Sequence, residues 1–375
     1  MTHSGSHADD ITYWEREVLD ACARIPAIDD AAREQALARQ RRLTKPPGAL
    51  GRLEDLHAWM AGVRGTAVPP TPNPVIIVAA ADHGVATEGV SAYPSAVTAQ
   101  MFRNFVSGGA AINVLAAHAG ARVVVVDAGV ATDLDESMPE GAITTVKLRK
   151  GTSNFAATPA MTRSECTQLI ARGIGLARDL AADGVDVFGL GDMGIGNTTA
   201  AAALTCAFTG HRPALTVGRG TGIDDARYAA KRAVVERALA LHAPSPADPV
   251  GTLAAVGGFE LAFLAGVAIG AAATRCAVVL DGYPTTAAAL AAAALAPCSV
   301  DFMLASHRSA EPGHDLALAH LGLRPLLDLD LRLGEGTGAA LACSLLTAAL
   351  RIPHEMATFD SAGVSRAEDA LVPET

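Results

Sequence analysis

A chain of 375 residues that is half hydrophobic yet only 4% aromatic, and rich in Ala and Gly, suits one large domain plus a smaller attachment, with helices packed closely on a sheet. Its formal net charge of -10 removes the positive field that nucleic-acid binding requires and leaves room only for small anions held by local backbone amides. Six cysteines, at 22, 166, 206, 276, 298 and 343, contain no C-x-x-C pair, which argues against a zinc knuckle or a disulfide framework and fits a reducing, cytoplasmic compartment.

From the start of the chain, MTHSGSHADD lacks a basic beginning and an apolar centre, so it reads as a frayed extension and not as a signal peptide. Residues 11–65 carry helical spacing of apolar positions, broken by Gly and Pro at 46–51, and VPPTPNP (68–74) reads as a linker. Short apolar runs follow at 75–80, 122–127, 185–190 and 276–281, separated by helix-like stretches. They are almost unbroken rather than alternating, which predicts an α/β parallel sheet covered by helices on both faces. The runs end in ADHG (81–84), DAG (127–129), GLGDMG (189–194) and DG (281–282), so function is expected at the carboxyl edge of the sheet.

Helices are expected over 162–182, 197–208, 224–242, 257–272 and 335–350, with a short helix and a polar tail in the last thirty residues. Leu261 to Thr274 and Thr285 to Val300 are apolar, but both are shorter than a bilayer requires. Glu260 and Arg275 bracket the first and Pro297 interrupts the second, so both read as buried helices and no membrane association is expected. The implied organisation is a helical segment over 1–70, a catalytic α/β domain over 71–350 and a C-terminal segment over 351–375.

GLGDMGIGNTT (189–199) holds a G-x-G-x-x-G after a strand and before a helix. A dinucleotide site also wants an acid about 20 positions onward, and no Asp or Glu lies between Asp192 and Asp224. What survives is a cradle for a monophosphate, with Asn197 and Thr198 able to cap the next helix, or a tight turn that uses glycine for geometry alone. VGRGTGIDD (217–225) supplies a second such turn. Lys231, two turns into the helix after it, is either a point charge for a phosphate or a solvated helix lysine.

RLGEGTGAALA (332–342) places Glu335 between glycines ahead of an Ala-rich helix. It is a candidate general base, or an acid favoured only by the helix dipole. In SHRSAEPGHD (306–315) and beyond, His307, His314 and His320 stand seven and six apart, without metal-ligand spacing, and read as loop or capping histidines; the same holds for Asp82 and His83. With no G-x-S-x-G elbow and no Walker motif, a phosphate cradle and a carboxylate remain, which suits transfer chemistry on a phosphorylated sugar.

KPPGALGRLE (45–54), ADHGVATEGV (81–90), GLGDMGIGNTT, VGGFELAFLAGVAIGAA (256–272), LDGY (280–283), SHRSAEPG and RLGEGTGAALA, in this order, resemble the nicotinate-nucleotide:dimethylbenzimidazole phosphoribosyltransferase family over about residues 40–350. The resemblance implies a Rossmann-like parallel sheet flanked by helices, a second, smaller helical domain built from both chain ends, a homodimer whose partner helps complete each site, and neither cofactor nor metal. The implied reaction moves phosphoribose from nicotinate mononucleotide to 5,6-dimethylbenzimidazole, with inversion at the anomeric carbon, in cobalamin assembly.

By the same resemblance, Glu335 is the catalytic base. Gly191, Asp192, Gly194, Gly196, Asn197 and Thr198 surround the phosphoribosyl group together with Gly220, Lys231 and Ser309. Tyr93, Gln100 and Met101, with the backbone of Leu333 and Gly334, face the aromatic base. Some relatives carry Glu at 192 and Ser at 93, which leaves purine or phenolic acceptors open. The rival readings are a nucleotide-dependent oxidoreductase and a small-ligand binding protein without turnover.

Overall fold

The computed structural model describes residues 7–134, 141–220 and 222–365. The first six residues of the N-terminal extension and residues 366–375 of the polar tail lie outside the described residues. The apolar runs form β1 (Pro74–Ala81), β2 (Arg122–Gly129), β4 (Val187–Met193) and β5 (Ala277–Leu280), and two further strands, β3 (Ile143–Thr145) and β6 (Met303–Ala305), join them. They pair in parallel in the order β3-β2-β1-β4-β5-β6, the order of a Rossmann-type sheet.

All eight residues of β1 are buried, as expected of a central strand covered on both faces. Its register sets Val78 beside Val125 of β2 and Gly191 of β4. The direction of winding reverses between β1 and β4, and the carboxyl ends of these two strands open the crevice in which such sheets take ligands. The two three-residue strands, β3 and β6, are too short to carry a periodic signal of their own. Two-residue strands β7 (His307–Arg308) and β8 (Leu327–Asp328) pair separately.

The helices before β4 are α1 (His7–Arg24), α2 (Asp30–Arg42), α3 (Arg52–Arg64), α4 (Ala96–Val106), α5 (Ala111–His118) and α6 (Arg163–Ala182). After it come α7 (Asn197–Thr209), α8 (Pro213–Thr216), α9 (Asp225–His242), α10 (Pro249–Val256), α11 (Phe259–Ala273), α12 (Tyr283–Leu295), α13 (Pro312–Leu321), α14 (Thr337–Glu355) and α15 (Phe359–Ala362). Helices α8, α10, α12 and α13 open with proline in the first turn, where the missing amide hydrogen has no helical partner to lose.

The apolar stretch that invites a membrane reading is α11, buried at every residue from Phe259 to Ala272; a helix apolar all round belongs in a core. It lies close against α6 because Gly173 and Gly266 face the other helix's backbone, where a Cβ would strike Phe263 or Ile170. No helix among the described residues is long and apolar enough to cross a membrane.

The chain divides into two compact units. The larger takes residues up to Pro26 and Asn73–Cys343, including the whole sheet. Helix α1 was expected with the smaller piece, within 1–70, but it packs on α6 and α11 and adds Val18 and Ala21 to their core. The boundary expected at 70 falls at Pro72, a further one falls after Pro26, and the upper one lies at Cys343 rather than 350.

The smaller unit holds Ala27–Pro72 and the chain from Ser344 onward. Polar contacts within it link its two chain segments: Arg39 donates to the Pro353 carbonyl at 2.9 Å, and Leu43 pairs with Thr358. Gln40 donates to His57 Nδ1 at 3.0 Å, and His57 Nε2 donates to the Ala67 carbonyl at 3.0 Å. In KPPGALGRLE the two ends meet, Lys45 and Glu54 forming an ion pair at 2.7 Å across a turn with Gly48 and Gly51 at positive φ.

Candidate active site

Within the larger unit, the loops after β4, β5 and β6 and the turn before α14 surround a cleft of about 370 Å³. Of the residues expected there, Tyr93, Met101, Asp192, Gly194, Asn197, Thr198, Gly220, Ser309, Leu333, Gly334 and Glu335 line it. Gly191, Gly196, Lys231 and Gln100 do not.

The turn after β4 departs from the expected capping. Gly196, at φ +101°, is the N-cap of α7 and offers no side-chain bond. Asn197 turns back to donate to Asp192 Oδ2 at 2.7 Å, and Thr198 Oγ1 accepts from Lys231 Nζ at 2.9 Å. With no side chain across its end, α7 presents an N-terminus suited to an anion.

Lys231 is not a solvated lysine. It is fully buried on α9, and besides Thr198 its ammonium donates to the Gly218 carbonyl at 3.1 Å. Burial lowers its pKa to about 8, with the charge of Glu311 opposing. Gly220 closes over it: at φ +51°, a Cβ there would lie 3.0 Å from Thr198 Oγ1 and 3.4 Å from Lys231 Nζ. Its amide donates to Glu311 Oε1 at 2.7 Å. Ser309 Oγ accepts weakly from the Glu311 amide at 3.4 Å, which keeps its own hydrogen for a ligand.

Across the cleft, Gly334, Glu335 and Gly336 stand in succession at φ +84°, +64° and +89°. A non-glycine residue in that region costs about 1 kcal/mol, so Glu335 is held there by its surroundings. Its amide donates to the Asp192 carbonyl at 3.2 Å. Asp281, after β5, accepts from the amides of Gly336, Gly338 and Ala339 at 3.2, 2.6 and 3.1 Å, and so caps α14. Gly191 sits beneath this turn rather than on the cleft wall, and a Cβ there would lie 2.5 Å from the Glu335 carbonyl oxygen.

Burial raises the pKa of Glu335, opposed by the Ile112 amide, and its Oε2 has no partner among the described residues. Asp192 is pushed well above the carboxylate range by burial first, then by Asp281 and Glu260. Burial also outweighs the three amides at Asp281, raising it to about 7.

On the remaining side, Val97 and Met101, one turn apart on α4, line the cleft beside Tyr93 and Leu333, which are 54% and 56% exposed. Gln100, on the same helix, is exposed and points away from this row. The cleft also contains Ile195, Tyr283, His307, Glu311 and Arg332, which residue-by-residue reading did not single out as ligands. His307 and Glu311 lie inside SHRSAEPG, but nothing in their spacing distinguishes a cleft residue from a loop residue.

Residues 25–364 match the model of a family described as phosphoribosyltransferase. The chain is 55% identical over 348 residues to the nicotinate-nucleotide–dimethylbenzimidazole phosphoribosyltransferase of Roseiflexus castenholzii, covering 93% of this chain and 98% of that protein. It is also 55% identical over 346 residues to the protein of the same name from Chloroflexus aggregans, covering 92% and 97%. The crystal structure of the Thermus thermophilus protein of that name superposes with a TM-score of 0.84 at 48% identity, covering 91% of this chain and all of the other. With the phosphate-suited turn and the buried carboxylate facing one cleft, these likenesses place the chain in the nicotinate-nucleotide–dimethylbenzimidazole phosphoribosyltransferase family.

Proposed function

We propose that this enzyme transfers phosphoribose from nicotinate mononucleotide to 5,6-dimethylbenzimidazole, giving α-ribazole 5′-phosphate and nicotinate for cobalamin assembly in the cytoplasm. The observation that carries the reading is Glu335, held at positive φ in the cleft wall with a raised pKa and a carboxylate oxygen that has no partner among the described residues. Thr198, Gly220 and Ser309 hold the 5′-phosphate, with the charge of Lys231 beneath Thr198 and the N-terminus of α7 behind it.

In the reaction, a benzimidazole nitrogen attacks the anomeric carbon as the bond to the pyridinium nitrogen breaks, and the departing ring takes the bonding pair. Departure from a pyridinium needs little acid assistance. The new base then carries an extra proton on its other nitrogen, which Glu335 removes. Burial and neighbouring charge shift Asp192 towards its protonated form, which favours Glu335 as the carboxylate that acts as base. Attack from the face opposite nicotinate converts the β-nucleotide to the α-product.

The acceptor lies along Tyr93, Val97, Met101 and Leu333. The large exposure of Tyr93 and Leu333 favours a homodimer in which the partner covers this side. It also leaves purine and phenolic acceptors as competitors to be assayed. Incubation with both substrates should yield nicotinate and α-ribazole phosphate in equal amounts by chromatography. Nicotinate without ribazole would replace the transferase with a hydrolase or another acceptor, and sedimentation at micromolar concentration tests the dimer.

A further inference from the structure

His307 follows β6 at the carboxyl edge of the sheet, is 2% exposed, and lines the cleft between Gly282 and Ser309. Its protonation pattern is set by two neighbours. Ser306 Oγ donates its one hydrogen to the Asp281 carbonyl at 3.1 Å. The 3.0 Å contact between Ser306 Oγ and His307 Nδ1 must then be a bond in which Nδ1–H donates. The Asp281 carboxylate, 3.9 Å from the same nitrogen, favours a hydrogen there.

The lone pair consequently stands on Nε2, and no group among the described residues bonds it. Gly282 leaves that nitrogen accessible: a Cβ at 282 would lie 3.8 Å from Nε2 and 4.0 Å from Ser309 Oγ, where a side chain would fill the approach. Burial lowers the imidazole pKa to about 4, so the ring is neutral and accepting throughout the neutral range.

The substrates of the proposed reaction offer few donors to such a nitrogen. Phosphate and carboxylate have none at neutral pH, and the benzimidazole N–H faces Glu335. The ribose 2′- and 3′-hydroxyls remain, and Ser309 beside His307 is already on the phosphoribosyl side. We infer that His307 Nε2 accepts a hydrogen bond from a ribose hydroxyl and so orients the anomeric carbon between leaving and attacking rings. The inference rests on the transferase reading. A neutral acceptor suits this place because the sugar gains positive charge as nicotinate departs, and an imidazolium would oppose that charge.

The test compares nicotinate mononucleotide with its 2′-deoxy and 3′-deoxy analogues, using wild type, His307→Ala and His307→Gln. In wild type, one deoxy analogue should lose about 10- to 100-fold in kcat/KM, the range for an unmade hydrogen bond at a polar site. His307→Ala should lose a similar factor on the ribonucleotide and no longer distinguish it from that analogue. His307→Gln, whose amide oxygen reaches the same region, should recover part of both. A deoxy penalty that persists in full in His307→Ala overturns the inference.

A readout independent of variant folding and of turnover is the ¹⁵N signal of His307 Nε2 in wild type. Added nucleotide should move it from a free lone-pair position towards a hydrogen-bonded one, and the deoxy analogue should not; an unmoved signal at saturation overturns the inference. If nucleotide binds and moves this signal but no ribazole forms, the transferase reading fails while the contact stands.

Discussion

The two glycine-rich turns that face each other across the cleft look alike in sequence and do opposite electrostatic work. At 194–196 the glycine N-cap leaves the end of α7 without a side-chain partner, and a buried ammonium lies beside Thr198. At 334–336 the amides opening α14 are already taken by Asp281, and a carboxylate stands in the turn. One turn is therefore prepared for an anion and the other for a proton. What distinguishes them is the group beneath each turn, Lys231 or Asp281, and not the glycines.

The largest expected effect removes the carboxylate from the second turn while leaving the first intact. Glu335→Gln should lower kcat by about 100- to 10,000-fold, the range for a general base, while nucleotide affinity by calorimetry changes by no more than about threefold. A comparable loss of affinity would mean that the turns are not separate in function.

Next comes the support under that turn. Gly191→Ala puts a methyl group 2.5 Å from the Glu335 carbonyl oxygen, and this overpacking should cost about 1–3 kcal/mol of stability. Thermal unfolding measures the loss, and kcat should fall more than nucleotide affinity because the displaced residue is the base. An equal fall in both would blur the division.

For the anion side, Lys231→Met should weaken nucleotide binding by about 10- to 100-fold, as for loss of a charged hydrogen bond. In wild type the sign with pH follows from the lowered pKa: the ammonium is charged below about 8 and loses its proton above it. Nucleotide affinity should therefore hold up to about pH 8 and then decline, by at most about tenfold per pH unit for one proton. A flat profile to about pH 10, two units above that pKa, would remove Lys231 from the phosphate end. The smallest effect sharpens the comparison by control: Gln100→Ala, outside the cleft wall, should change kcat/KM by less than about twofold.

Much of the fold was legible in the chain. The runs at 75–80, 122–127 and 185–190 became β1, β2 and β4, because four or more apolar residues without alternation have few alternatives to a covered strand. The helix expected over 197–208 is α7, Asn197–Thr209. Three-residue strands such as Ile143–Thr145 had no pattern to read. Helix α1 carried a helical signal but no sign of which partner it would meet, and its contact with α6 and α11 adds a second boundary after Pro26.

The site divides in the same way. Glycine-rich turns were read at 189–199, 217–225 and 332–342, and there Gly196, Gly220, Gly334 and Gly336 stand at positive φ, a region glycine enters without a clash. The burial of Lys231, the turning of Asn197 to Asp192, and the free nitrogen of His307 were not legible, because each depends on groups brought together by folding. By itself the sequence determined the alternation of strands and helices and the places where the backbone must turn tightly, for these follow from periodicity and local sterics. Only the tertiary structure decided which charge each turn would serve: the ammonium under one and the carboxylate under the other reach their partners across 33 and 57 positions of chain, and burial then sets their protonation.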